Sequence, residues 1–161
     1  MMKRLIVYYS LSGNIASAVR TIAQQLDCDT LRIEPVKPMP KRFWAQILVG
    51  GGQVAMNIIP KLKPLDRSPA SYDEILIAAP IWNGKAAPAI SAFLKDKAVC
   101  AKVTGLILSS GSGEIGKCVA ALSPRLPNVK HTLSLLDPKH KDAGQNAEKL
   151  DAFVRAFRAD G

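Results

Sequence analysis

Leu5-Ile6-Val7-Tyr8-Tyr9-Ser10-Leu11-Ser12-Gly13-Asn14-Ile15 is the stretch on which the fold turns. Its first half is an apolar, β-prone run. At Ser10 the run breaks into a hydroxyl- and glycine-bearing turn, and a helix-like segment, Ala16 to Leu26, follows at once. A strand that feeds a Ser/Gly/Asn loop opening a helix has the makings of an anion cradle. The first amides of a helix have no partner within it, and the macrodipole there favours negative charge. Ser10, Ser12 and Asn14 offer side-chain donors, and Gly13 permits close backbone approach. Ser and Asn are equally ordinary helix caps, so the loop gains its meaning from the rest of the chain.

Strand-like and helix-like segments alternate along the sequence. Arg4 to Tyr9, Thr30 to Val36, Glu74 to Ala79, Val103 to Ser109 and Val129 to Leu135 read as strands, the third ending at Pro80. Between and after them, Ala16 to Leu26, Phe43 to Ile59, Ala89 to Leu94, Gly116 to Leu122 and Asn146 to Arg158 read as helices. Gly50-Gly51-Gly52 weakens the second of these. In the last, Leu150, Phe153, Val154 and Phe157 recur at helical spacing and form a core face. Five strands alternating with helices predict a doubly wound parallel sheet covered on both faces, in a single domain over residues 1–161. Lys61 to Ser71, rich in Pro and charge, reads as a surface connection rather than a boundary.

The composition is globular, with 48% hydrophobic and 22% charged residues. No stretch has the length of a membrane span, and Leu5 to Tyr9 is too short for a secretory signal, so the expected location is cytoplasmic. Three widely spaced cysteines, Cys28, Cys100 and Cys118, suggest free thiols rather than disulfides or a zinc site. The net charge is +9, and residues 37–67 set six basic residues against one acid, Asp66. A solvated basic face accounts for this, as does a docking surface for an acidic protein or an anionic substrate. Scarce aromatics, 6%, and the lack of a recognised module argue against nucleic acid.

Ligands of doubly wound sheets sit beyond the carboxyl ends of the strands. Three loops there share a Gly, Ser, Asn or Pro character: Ser10 to Ile15; Pro80-Ile81-Trp82-Asn83-Gly84-Lys85-Ala86; and Ser109-Ser110-Gly111-Ser112-Gly113-Glu114. In these three loops, over essentially its full length, the chain resembles the short-chain flavodoxin-like family. Tyr8 to Asn14 resembles the family's phosphate loop, Pro80 to Gly84 its aromatic flavin loop, and Ser110 to Gly113 its second flavin loop. The resemblance implies strand order 2-1-3-4-5 and flavin mononucleotide (FMN) as cofactor. The phosphate would lie against Ser10, Ser12, Gly13, Asn14 and Ile15. The isoalloxazine would lie between Pro80, Ile81, Trp82, Asn83, Gly84 and Lys85 on one side and Ser110, Gly111, Ser112 and Gly113 on the other. Trp82 is a stacking wall or a packing residue, and Trp44 packs beside Phe43 or forms part of the rim. Neither a catalytic side chain nor a metal is implied, because the flavin performs the redox chemistry.

Two departures stand out. Ile15 occupies a place where the family usually carries Thr or Ser, which removes a hydroxyl donor worth about 1.5–3 kcal/mol. The basic charge departs from the acidity of many electron-carrying flavodoxins, which puts the family's usual partners in doubt. Three functions stay open: an electron carrier, an NAD(P)H:quinone reductase, and an interaction module that has lost FMN. In the first two the partner would be a redox protein or a small-molecule acceptor. Gly111 to Cys118 nearly matches a P-loop, but Cys118 replaces the hydroxyl that would hold Mg²⁺. A receiver-type signalling domain needs acids where Ser10, Ala79 and Pro80 stand.

Overall fold

The computed structural model describes residues 1–38 and 58–161. The expected helix from Phe43 and the place of Trp44 lie outside the described residues. β1 (Arg4–Tyr8), β2 (Asp29–Arg32), β3 (Glu74–Trp82), β5 (Val103–Ser110) and β6 (His131–Leu136) form a parallel sheet in the order β2-β1-β3-β5-β6. Counting parallel strands alone, that is the expected order 2-1-3-4-5. The remaining strand, β4 (Lys85–Ala86), is antiparallel and pairs with the end of β3. Among the described residues the α-helices are α1 (Asn14–Leu26), α2 (Pro88–Phe93), α3 (Lys97–Cys100), α4 (Gly116–Leu122) and α5 (Asn146–Ala159).

Alternation along the strands sorts apolar side chains to the two faces of the sheet. Leu5, Val7, Ile75, Ile77, Ala79, Leu106 and Leu108 pack with Ile90, Phe93, Cys118 and Leu122 of α2 and α4. Ile6, Leu76, Ala78 and Ile107 pack on the other face with Ile15, Val19 and Ile22 of α1 and Leu150, Phe153 and Phe157 of α5. The central strands therefore carry buried apolar side chains on both faces, as a sheet covered on both sides requires.

Two strand ends depart most from the sequence reading. β3 runs past Pro80 to Trp82, then turns back through Asn83 (φ 50°) and Gly84 (φ 76°) into β4. Two consecutive positive φ angles suit a two-residue hairpin, whose twist must match that of its strands. Pro80 lacks an N–H, yet its carbonyl accepts from the Ala87 amide at 3.1 Å, so pairing survives it. β2 stops at Arg32 instead of Val36, because its β1 partner stops at Tyr8. Beyond Arg32 the chain pairs outward: Val36 N–H donates to the Lys61 carbonyl and Lys63 N–H to that of Glu34, both at 2.8 Å. Among the described residues, no helix is long and apolar enough to cross a membrane.

Candidate functional site

The site begins where β1 runs out. Ser10 is 3% exposed, and its hydroxyl oxygen accepts from the Gly13 and Ala16 amides at 3.2 Å each. The side chain thus closes the loop on itself and holds the first turn of α1 in place. Gly13 sits at the helix start with φ 92°. Among the described residues, the amides of Leu11, Ser12, Asn14 and Ile15 make no hydrogen bond. Four donors at the positive end of a 13-residue helix are left for something else. On its outer side the loop is held by Arg32, whose Nη2 donates to the Ser10 carbonyl at 3.0 Å.

Ile15 belongs to this loop by its backbone and to the core by its side chain. It is 2% exposed and packs with Val19 and Ile22 under the sheet. A hydroxyl-bearing residue here would place its oxygen at the boundary between apolar core and loop.

The three loops meet in one cleft of about 200 Å³. The first loop contributes Leu11, Ser12, Asn14 and Ile15. Pro80, Ile81 and Trp82 form a second wall, and Ser109, Ser110, Gly111 and Asp137 a third. The Trp82 ring stands edge-on to Tyr9, with centroids 5.8 Å apart at 83°. Burial raises the pKa of Tyr9, opposed by nearby Arg32 and reinforced by Glu34. The Ser110 carbonyl accepts from the Asp137 amide at 3.1 Å. Its hydroxyl oxygen is buried with no hydrogen-bond partner. An orphaned hydroxyl in a polar cleft is costly unless a ligand or water completes it.

Seven of the expected positions do not line this cleft. Ser10 supports the loop from within, and Gly13 shapes it. Asn83, Gly84 and Lys85 are exposed on the hairpin beyond Trp82. Ser112 Oγ accepts from the Glu114 amide, and the Gly113 carbonyl accepts from the Ser134 hydroxyl at 2.5 Å. Conversely, Leu11, Ser109 and Asp137 line the cleft without having been singled out. Leu11 and Ser109 fall inside the loops already named. Asp137 follows the last strand, where the same carboxyl-end rule would have found it. Among the described residues, no group of His, Cys, Asp and Glu could hold a metal ion.

A family model described as Flavodoxin matches residues 3–154. Among solved structures, a flavoprotein of Lactobacillus acidophilus NCFM in complex with FMN is 22% identical at a TM-score of 0.67, covering 81% of this chain and 90% of its own. A candidate flavoprotein from Bacteroides uniformis ATCC 8492 is 26% identical at a TM-score of 0.71, covering 91% and 98%. Oxidised flavodoxin 2 from Bacillus cereus is 20% identical at a TM-score of 0.56, covering 99% of each chain. No curated protein matches the chain.

Proposed function

The chain belongs to the flavodoxin family, and from that premise we propose that it binds FMN between its three loops and works in electron transfer, as a carrier or a flavin-dependent oxidoreductase. The observation that carries the reading is the shared cleft, lined by residues with unpaired amides, by Trp82 and by Ser110, whose hydroxyl has no partner. These residues fit the group on three counts. The amides of Leu11, Ser12, Asn14 and Ile15 suit a phosphate at the start of α1. Trp82 offers an indole to a flat ring. Ser110 Oγ needs a partner such as the polar edge of that ring supplies.

When bound, the flavin supplies the one- and two-electron chemistry. The protein's part is to hold, orient and shield. Ser10 fixes the loop before any ligand arrives, which spares ordering entropy on binding. Pro80 and Ile81 give the cleft an apolar wall, while Lys85 is exposed on the hairpin beyond Trp82. With a net charge of +9, an acidic redox partner is the one electrostatics would steer here.

An absorption spectrum of the purified protein tests the reading. A flavin spectrum, or its appearance on adding FMN to colourless protein, is expected. A folded, colourless protein that refuses FMN would favour the interaction module. Direct oxidation of NAD(P)H with a quinone as acceptor would mark the reductase, and its absence the carrier.

A further inference from the structure

We propose that Arg32 is the positioning residue that makes this cleft prefer a phosphorylated flavin over an unphosphorylated one. The inference rests on the FMN reading and deepens it.

The loop from Ser10 to Ile15 contains no charged side chain, and the Ile15 side chain is given to the core. A phosphate ester arrives with about 1.5–2 negative charges near neutral pH. Backbone amides and a helix dipole meet only part of that, so a cation at the loop has a role to fill. The sheet register provides one. Tyr8 pairs with Arg32 across β1 and β2, two residues before the loop begins. That register brings the guanidinium to the root of the loop, where Nη2 holds the Ser10 carbonyl at 3.0 Å. The held peptide belongs to the residue whose hydroxyl oxygen secures Gly13 and Ala16. One contact therefore brings charge to the loop and fixes the amides that would face a phosphate.

Arg32 does not stand alone. Its Nε lies 3.3 Å from Glu34 Oε1, and the other Glu34 oxygen is 3.0 Å from Lys63 Nζ. The hydrogen bond and charge of Lys63, aided by Arg32, lower the pKa of Glu34, so it stays ionised. Two cations share one anion, which leaves a net positive charge behind the loop. Lys63 sits on the segment that pairs along Glu34 to Val36. This part of the basic stretch thus acts at the ligand loop as well as on the outer surface.

The test compares FMN with riboflavin, which lacks the phosphate, in wild type, Arg32→Gln, Arg32→Lys and Glu34→Gln. Dissociation constants are read from flavin fluorescence at several salt concentrations. In Arg32→Gln, FMN binding should weaken about tenfold, riboflavin binding should change less than about twofold, and the salt dependence for FMN should flatten. Arg32→Lys should keep most of the preference, and Glu34→Gln should tighten FMN alone. Equal loss for both ligands in Arg32→Gln would reduce Arg32 to a structural prop and overturn the inference. An unchanged FMN preference would overturn it too. Wild type that binds neither ligand sinks the cofactor reading itself, a different result from wild type whose preference survives the substitution.

Discussion

Trp82 lines this cleft, and Gly113 sets the path of a neighbouring loop outside it. Trp82 touches Tyr9 edge-on and keeps a face for a ligand. Trp82→Ala should weaken FMN about three- to tenfold and brighten the fluorescence of bound flavin. Unchanged affinity and brightness would mean that the indole only packs on Tyr9. Gly113 matters through closeness. At φ 79° a Cβ there would come within 2.9 Å of Leu136 Cδ2. Gly113→Ala should lower stability by about 1–3 kcal/mol in urea titration, and no loss would show that the loop takes another path. Ile15 marks a limit of reading residues singly. As a letter it reports a missing hydroxyl. As part of Ile15, Val19, Ile22 and Leu26 it completes the buried stripe of α1, and helical spacing alone could have assigned it there.

Elements set the walls of the cleft, and some are held by one side chain. Asn146, first residue of α5, accepts from the Leu136 amide at 2.9 Å and donates to the Leu136 carbonyl at 2.8 Å. It extends β6 by imitation and holds the strand end that leads to Asp137. Asn146→Ala strands both backbone groups and should cost about 1–3 kcal/mol in denaturant unfolding; a neutral outcome would mean that water replaces the amide freely. Buried parallel strands were legible because they are continuous apolar runs between turn signals, and Gly116–Leu122 was read with its observed ends. The hairpin after β3 was not legible, since Pro80 reads as a stop when only its missing N–H is weighed. The single turn Lys97–Cys100 was passed over, although Asp96 caps it by accepting from the Ala98 amide at 2.8 Å. That the three loops converge on one cleft was legible from their place after strands. Which of their residues face inward depends on tertiary turns that composition does not record.

At the scale of the whole molecule, two thiols set part of the response to alkali. Burial pushes Cys28 and Cys118 up to about 11 from an ordinary value of 9.0. The unfolded chain therefore loses these protons first as pH rises. Their contribution to stability is intact below pH 9 and is lost between pH 9 and about 11. Guanidinium unfolding across that interval should show a shallower decline in Cys118→Ala than in wild type; parallel declines would mean that Cys118 titrates normally in the folded protein. The sheet itself brings three separate loops, spread over residues 10–114, to one cleft, and FMN in that cleft is the central claim. Calorimetric titration of flavin-free protein with FMN and with riboflavin tests it most directly. One site per chain is expected, with FMN bound at least about tenfold more tightly than riboflavin. Equal affinity for the two ligands, or no heat from FMN, would contradict a phosphate held between Ser10 and Ile15.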